Sequence, residues 1–580
     1  MSTRDRGGGR GFSRRQVLAA GTAVPVGGLF WIGASSARAQ MGAEAAGRGL
    51  QVDVAAVDTA QAELNAVAAA LRSPTGPALG GEVRPGARNL RVISVMKVDP
   101  EENGKSVAER APSARRWRAR VYDYDGQRAL VLEGPLGNVR PDRVFETKEV
   151  LIPSWEEWAE ARDLLLRHPD IGPRLRAGEL IATRPMPPCM KGGRNGRHRL
   201  VTVGLLPVLP RRLDETYEIV AADLAERSVQ RFAARAPAGA VARGSVCGAP
   251  PAAGQDSTGQ GFPGQYNLTI RSGSTVYWTL TIVRPSSSSG LRGSGIELRD
   301  VVYRGRKVLK RAHMPILNVK YDRDVCGPYR DWLYEEGMLQ ASGVDLAPGF
   351  RRASSAPRTI LQSGTDTGNF LGTAVWVNGD EVTLMAELEA GWYRYLSQWT
   401  LNVDGTIRPR FGFAAVADSC VCNVHHHHAY WRLDFDIGSP NGNFVQQLDS
   451  GTWRTVPNET TVFRDAAFAR RWRVGNRNLR AMYEIRPNRT DGRARASRDW
   501  PFPAGDVWLL RYRPGEIDDG VNIVQGAAQA RLNRFVNGES INGADVVVWY
   551  AAHFTHDKGA TQEPGGDDHV VGPDLVPVSW

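Results

Sequence analysis

Residues 425–437 read HHHHAYWRLDFDI, in which four consecutive histidines run directly into a segment of alternating apolar and polar residues. Successive side chains of a β-strand point to opposite faces of the sheet. One face of such a strand would carry His425, His427, Ala429, Trp431, Leu433, Phe435 and Ile437, and the other His426, His428, Tyr430, Arg432, Asp434 and Asp436. The alternation therefore predicts a strand with an inward, apolar face that includes His425 and His427.

Two imidazoles on one strand face can hold one metal ion, but a third ligand must come from elsewhere. His556, in the segment FTHD at 554–557, is the best candidate, and His553 is the alternative. Three imidazoles with an open, water-filled position suit zinc or copper. The competing interpretation is a histidine-rich surface strand with incidental metal affinity.

The region around this strand is rich in strand signals. From residue 265 onward helical periodicity almost disappears, and strand-like runs follow one another at 266–271, 275–282, 296–303, 374–378, 382–389, 395–403, 407–416, 429–437, 507–512 and 545–550. Asp404-Gly405 between two of these runs predicts a tight type I′ hairpin. The pattern predicts a mainly β protein in which residues 260–580 form a large antiparallel β-sandwich.

The preceding part of the chain shows a different order of elements, which occurs twice. Helical periodicity over 49–72 is followed by strand-like runs at 90–98 and 117–132. A helix over 155–167 is then followed by runs at 198–206 and 217–223. We predict two small α+β domains, at 49–140 and 145–235, with a Pro/Ala/Gly-rich linker over 234–264.

The first 39 residues have the pattern of an export signal. SRRQVL at 13–18 places an arginine pair before a short apolar stretch, and Ala37-Arg38-Ala39 offers a small-x-small cleavage site. We predict a twin-arginine signal peptide, which directs a folded protein to the periplasm or the exterior. The alternative is an N-terminal membrane anchor, but the apolar stretch is short and broken by glycine and proline.

Charge and cysteine content exclude other classes of protein. The net charge of +11 comes mostly from dispersed arginines, and we expect no nucleic-acid partner. After signal removal we expect no membrane span. The five cysteines are too few for a disulfide framework, and we expect at most one bridge. Cys420 and Cys422, just before the histidines, are either metal ligands or small core residues.

Several of these segments together resemble the copper/topaquinone amine oxidases. The histidine strand continues into RLDFD at 432–436 like the family's His-x-His strand, and DVVVW at 545–549 leads to Thr555-His556 like the segment that carries the third copper histidine. The resemblance implies copper on His425, His427 and His556. It also implies a homodimer.

The same family makes a quinone cofactor from a tyrosine in the motif Asn-Tyr-Asp/Glu. GWYRY at 391–395, followed by the hairpin at 399–407, resembles the family's Gly-Asn-Tyr-Asp-Tyr segment. The resemblance implies that Tyr393 is the topaquinone precursor, although Trp392 and Arg394 replace the asparagine and the acid. The alternative for Tyr393 is a packed strand tyrosine.

The resemblance also implies roles for four carboxylates. YEEG at 334–337 is similar to the family's Phe-Asp-x-Gly, which implies that Glu335 is the catalytic base. Asp434, Asp436 and Asp545 have the spacing of the family's peripheral calcium site. A salt-bridge cluster around Arg432 is the competing interpretation of these three aspartates.

The resemblance implies an enzyme that oxidises a primary amine with O2 to an aldehyde, ammonia and hydrogen peroxide. Because Trp392 and Arg394 depart from the quinone motif, two alternatives stay open. One is a copper-binding protein of the same fold that lacks the quinone. The other is an oxidase in which Tyr393 stays unmodified.

Overall fold

The computed structural model describes residues 49–57, 60–73, 90–98, 115–148, 150–185, 188–192, 198–207, 218–231, 247–250, 264–290, 293–321, 329–331, 335–418, 420–467, 469–494, 505–518, 532–556 and 570–580. The predicted export signal lies outside these residues, as does most of the predicted linker. Within the described ranges, no helix is both long enough and apolar enough to cross a membrane.

Helices are few and short. The α-helices are α1 (Gln61–Arg72), α2 (Trp155–Arg167), α3 (Gly172–Arg176) and α4 (Ile360–Ser363), and 3-10 turns occur at Pro285–Ser287, Cys420–Cys422, Arg489–Asp491 and Leu532–Phe535. A capping box starts α2, because the Ser154 hydroxyl accepts from the Glu157 amide and the Glu157 carboxylate accepts from the Ser154 amide.

Strands make up most of the described chain. In chain order they are β1 (Gln51–Ala56), β2 (Leu90–Lys97), β3 (Arg116–Asp123), β4 (Arg128–Pro135), β5 (Arg143–Thr147), β6 (Leu180–Thr183), β7 (Cys189–Gly192), β8 (His198–Pro207), β9 (Glu218–Asp223), β10 (Ser228–Arg231), β11 (Gln265–Ser272), β12 (Thr275–Val283), β13 (Glu297–Tyr303), β14 (Arg306–Tyr321), β15 (Tyr329–Arg330), β16 (Met338–Leu339) and β17 (Gly343–Ala347). They continue with β18 (Phe350–Ala353), β19 (Phe370–Leu371), β20 (Thr373–Asn378), β21 (Glu381–Ala390), β22 (Tyr393–Asn402), β23 (Ile407–Ala415), β24 (His425–Phe435), β25 (Asn443–Asp449), β26 (Thr452–Val456), β27 (Thr460–Val462), β28 (Arg471–Asn476), β29 (Ala481–Arg486), β30 (Val507–Arg511), β31 (Val546–His556), β32 (Val570–Val571) and β33 (Asp574–Ser579).

Two smaller sheets are formed by the strands between β1 and β11. One has four strands in the order β2-β3-β4-β5, and α1 packs its buried Leu64, Val67 and Leu71 into the same core. The other has the order β10-β9-β8-β6, with β7 beside β8, and α2 contributes Trp158 and Leu165 to its core. Each predicted combination of one helix and several strands is therefore present, while the domain bounds stay a prediction.

The predicted helix over 49–72 is wrong at its start. Residues 51–56 form β1, which pairs antiparallel with β11 of a large sheet, and the helix begins only at Gln61. The physical reason is the local alternation of Gln51, Val52 and Asp53, in which only the valine is buried. This period of two suits a strand better than a helix.

Two large sheets form the main body. The first has the order β1-β11-β12-β13-β14-β24-β31-β30-β27, with β15 beside β14, and the second β17-β18-β20-β21-β22-β23-β33-β29-β28-β25-β26, with β32 beside β23. All their pairs are antiparallel except β18 with β20. One core holds side chains of both sheets, among them Leu433, Val548, Leu384 and Phe413. The predicted mainly β class with a large sandwich is confirmed.

The first large sheet is buried on both faces around β24. Every residue of β24 is buried, including those on the face opposite His425 and His427. A separate core covers that second face, with Tyr430, Trp508 and Trp549 at its centre. The polar face expected from the sequence is therefore not a solvent-facing one.

The predicted hairpin is present, but its turn differs from type I′. β22 and β23 pair on either side of Asp404-Gly405, and Gly405 has a φ of 95°. Asp404 is not among the residues with positive φ, although type I′ requires this at both central positions. Instead the Asp404 carboxylate accepts a hydrogen bond from the Thr406 amide at 2.8 Å.

Candidate metal and tyrosine site

The ladder between β24 and β31 brings three histidines together. His425 lies directly opposite His556, and His427 lies opposite Phe554. The ring centroid of His425 is 4.6 Å from that of His556 and 5.0 Å from that of His427. All three histidines are buried, at 3% exposure or less. The residues predicted as metal ligands thus share one face at one end of two paired strands.

Backbone and aromatic contacts orient these rings. The Nδ1–H of His425 donates to the carbonyl oxygen of Asn423 at 2.7 Å, because a carbonyl can only accept. That bond leaves Nε2 of His425 as the nitrogen with the lone pair for a metal. His427 stacks on Phe554 at 5.2 Å and lies 4.0 Å from the Phe413 ring.

The donor set fits a transition metal. Neutral imidazoles suit copper and zinc, and the surrounding aromatic rings keep the three side chains out of bulk water. Three imidazoles at this spacing can supply nitrogen ligands to one shared ion.

The other histidines of the two strands belong to the opposite face. His428 Nδ1 lies 2.8 Å from His553 Nδ1, and His553 Nε2–H donates to the Gly505 carbonyl at 2.9 Å. His426 hydrogen-bonds to the Thr555 hydroxyl at 2.9 Å. Since His553 lies opposite His428 in the ladder, the structure does not bring it to the face of His425 and His427.

Tyr393 lies against the histidine cluster. It is 1% exposed at the start of β22, and its ring centroid is 5.1 Å from that of His427 and 5.7 Å from that of His425. Its hydroxyl hydrogen-bonds to the Tyr321 hydroxyl at 2.5 Å. Burial raises the pKa of Tyr393 well above its usual value, so the phenol is protonated at neutral pH.

The two unusual neighbours of Tyr393 are both held in place. The Trp392 indole N–H donates to the Tyr321 hydroxyl at 3.0 Å. Arg394 forms two hydrogen bonds to the Asp366 carboxylate, at 2.9 and 3.2 Å, and lies 3.6 Å from a Glu389 oxygen. Two carboxylates therefore balance the positive charge of Arg394.

Glu335 lies in a buried ion pair. The two terminal guanidinium nitrogens of Arg184 donate to the two carboxylate oxygens of Glu335, and the two side chains are each 5% exposed. Arg184 follows β6 of the five-stranded small sheet, so this pair joins that sheet to the main body. Its role as the base stays a prediction.

Asp331 is a residue of this site that the sequence did not indicate. It is 1% exposed, and its carboxylate accepts a hydrogen bond from the Tyr395 hydroxyl. The Tyr395 ring stacks on Tyr393 with centroids 5.4 Å apart. Burial raises the pKa of Asp331 to about 7, against the lowering effects of Tyr395 and Arg330. No short motif marks this aspartate.

The three aspartates predicted as a calcium site come together. One carboxylate oxygen from each of Asp434, Asp436 and Asp545 lies within 4.8 Å of the others. Arg432 is also present, with a guanidinium nitrogen 3.6 Å from Asp434. Features of both interpretations are thus found at the same place.

The cysteines differ from the expectation. A disulfide joins Cys247 to Cys422, and Cys420 is disulfide-bonded as well, so the prediction of at most one bridge is wrong. Sulfurs in disulfides are not thiolate ligands, which excludes Cys420 and Cys422 as metal ligands in this state. Both lie just before Asn423, whose carbonyl orients His425.

Comparison with known proteins gives matches among solved structures only. No protein-family model matches the chain, and no curated protein matches it. The structure is similar to the copper-containing benzylamine oxidase from Hansenula polymorpha, with 12% identity, a TM-score of 0.52, and coverage of 90% of this chain and 97% of that one. It also matches Aspergillus nidulans amine oxidase, with 13% identity, a TM-score of 0.48, and coverage of 89% and 87%. At this identity the likeness shows the fold alone: the chain has the fold of the copper-containing benzylamine oxidase.

Proposed function

We propose that this protein is a copper-dependent oxidase of primary amines in which Tyr393 is the precursor of a quinone. The observation that carries the proposal is the packing of the buried Tyr393 ring against His425 and His427, on the strand face that they share with His556. A tyrosine that is to be oxidised by metal and O2 must lie beside the metal. The three histidines supply the ligand types that copper prefers.

Copper and O2, when bound, would supply the oxidation of the Tyr393 ring to a quinone, and that quinone would take two electrons from the amine. The side chains around it perform separate tasks. Tyr321 and Trp392 form a hydrogen-bonded chain that fixes the Tyr393 hydroxyl. Tyr395 and Phe413 cover the ring and exclude water.

The test uses the mature chain prepared without metal. Copper is added in air, and a quinone-reactive hydrazine is followed by visible absorption. The proposal predicts a coloured adduct in the wild-type protein and none in Tyr393→Phe, with stoichiometric copper in both. Absence of an adduct in the copper-loaded wild type, or an adduct that persists in Tyr393→Phe, would contradict it.

A second candidate function is copper binding without the quinone. The observation that favours it is the fixed environment of Tyr393: its hydroxyl is bonded to Tyr321, its ring is stacked on Tyr395, and the next residue is anchored to Asp366. A ring held in this way has little room to turn during oxidation. Stoichiometric copper with no hydrazine adduct would support this candidate, and amine turnover without an adduct would support an oxidase with unmodified Tyr393.

Three further properties belong to the same proposal. Export by the twin-arginine signal is supported by the Cys247–Cys422 disulfide, since disulfides persist in oxidising compartments. Calcium binding is supported by the clustered Asp434, Asp436 and Asp545. Homodimerisation rests on the family resemblance, and sedimentation of the mature protein tests it directly.

A further inference from the structure

A buried carboxyl group is built into the cluster of tyrosines that surrounds Tyr393. Asp331 follows β15, and its amide donates to the Leu317 carbonyl of β14 at 3.0 Å, which fixes its backbone. The Tyr395 hydroxyl donates to its carboxylate. Tyr395 and Tyr393 lie two residues apart on β22 and stack on each other, so Asp331 is one hydrogen bond away from the ring next to Tyr393.

Glu335 is in a different electrostatic situation. Arg184 holds it with two hydrogen bonds, and both side chains are buried. Each carboxylate oxygen of Glu335 therefore already accepts a hydrogen bond from Arg184. To accept a proton, Glu335 would have to leave Arg184 as a buried cation facing a neutral acid, which is expensive.

We propose that Asp331 and the Tyr395 hydroxyl form the proton-accepting pair of this site, in place of Glu335. The inference rests on the proposed function, in which an amine R–CH2–NH2 is oxidised by O2. One C–H bond of the amine carbon breaks, and its electron pair goes to the quinone and then to O2. The proton goes to the Tyr395 oxygen as that hydroxyl transfers its own proton to the Asp331 carboxylate.

The surroundings of Asp331 suit this role. Burial raises its pKa to about 7, so near neutral pH it exchanges a proton easily in either direction. The groups that act on it are Tyr395, which donates to it, and the neighbouring Arg330. Arg330 is itself bonded to Asn318 at 2.8 Å and to Asp518 at 3.3 Å, which reduces its pull on Asp331. Asp331 in turn acts on the pKa of Tyr393 and of Tyr321.

The first experiment needs no metal. Infrared difference spectra of the metal-free protein, taken across a pH titration, report the carbonyl band of a protonated carboxyl group. Burial also raises the pKa of Asp418 to about 7, which makes Asp418→Asn the matched control. We expect the carbonyl band of protonated carboxyl groups to disappear as the pH rises through about 7. Asp331→Asn should remove one component of this band, and Asp418→Asn should remove another. A spectrum unchanged by Asp331→Asn would overturn the inference.

The second experiment compares variants of the copper-loaded protein, with hydrazine adduct yield and benzylamine turnover measured on the same samples. Asp331→Asn is expected to keep the adduct and to lower kcat by about 10²–10⁴-fold. Tyr395→Phe should do the same, with the double variant no slower than the slower single one. Asp331→Glu should restore part of the rate, and Glu335→Gln should keep the pH profile of kcat.

The outcomes separate the two claims. No adduct in the wild-type protein refutes the proposed function and this inference together. The inference alone is refuted by a second outcome. In it all variants form the adduct, Glu335→Gln loses the pH dependence of turnover, and Asp331→Asn keeps it. Loss of rate in Asp331→Asn without rescue by Asp331→Glu, and with full rate in Tyr395→Phe, also refutes the proton-accepting pair.

Discussion

His425 lies directly opposite His556 across the β24–β31 ladder, with the two ring centroids 4.6 Å apart. Their strands are distant in the sequence but adjacent in the first large sheet. Strand residues are held more rigidly than loop residues, so a metal site built this way is pre-organised. Because side chains alternate between the two faces of each strand, His426, His428 and His553 lie on the opposite face and outside this site.

Substitution of one predicted ligand should abolish stoichiometric copper. We expect His425→Ala and His556→Ala each to lose copper after desalting, because two imidazoles do not complete a site. His426→Ala is the matched control on the opposite face of the same strand and should keep its copper. The measurement is elemental analysis of the refolded variants, and full copper in both His425→Ala and His556→Ala would show that the ligands are others.

The disulfide next to the histidine strand should affect the metal. Cys422 lies just before Asn423, whose carbonyl accepts from His425 Nδ1. Loss of such an outer hydrogen bond typically costs about 10–100-fold in metal affinity. We expect the double variant Cys247→Ser/Cys422→Ser to bind copper more weakly in this range, measured by competition with a chelator. Cys189→Ser is the control, because it alters a buried thiol that donates to the Leu151 carbonyl. Equal affinity in all three proteins would contradict the expectation.

Stability should depend on pH through Asp418. Burial raises its pKa from the ordinary value for an aspartate to about 7. Between about pH 4 and pH 7 the folded protein keeps a proton on Asp418 that the unfolded chain has released. The free energy of unfolding therefore falls as the pH rises through this window. Asp418→Asn should gain stability relative to wild type across that window, by roughly 2–4 kcal/mol at its upper end, in denaturant unfolding.

Glu297 should make stability depend on pH in the direction opposite to Asp418. Burial acts to raise its pKa, but Arg299 and Arg311 outweigh it and lower the pKa to about 2. Its contribution to stability is present above its unfolded pKa and is lost as pH falls toward 2. Glu297→Gln should be less stable than the wild type at neutral pH. This difference in the free energy of unfolding should shrink as the pH falls below about 4. A constant deficit would contradict this assignment.

Calcium and a salt-bridge cluster can be distinguished at Asp434, Asp436 and Asp545. If the three carboxylates hold calcium, the Tm should rise with the concentration of added calcium, and a chelator should lower it. Asp545→Asn should remove that response, because it deletes one of three clustered ligands. If the cluster only pairs with Arg432, the Tm should not depend on calcium in either protein.

The histidine site could be predicted from the sequence because strand alternation is local. A period of two places His425 and His427 on one face whatever the strand pairs with. The choice of His556 over His553 depended on the register of another strand, which alternation alone does not give. It came from the resemblance, and the ladder places His556 on the required face.

The surroundings of Tyr393 could not be predicted, because they come from distant parts of the chain. Arg184 reaches Glu335 from another sheet, and Asp331 meets Tyr395 only through the pairing of β14 with β15. Neither contact leaves a pattern in the sequence. The second core behind β24 was missed for the same reason, since Trp508 and Trp549 lie on other strands.

We expect copper bound at the three histidines to act on Tyr393. The most direct measurement is mass spectrometry of the peptide that contains Tyr393, before and after metal-free protein is exposed to copper in air. We expect a gain of oxygen on Tyr393 that requires copper and is absent in His425→Ala. Unmodified Tyr393 in protein that binds stoichiometric copper would contradict it and leave copper binding without the quinone.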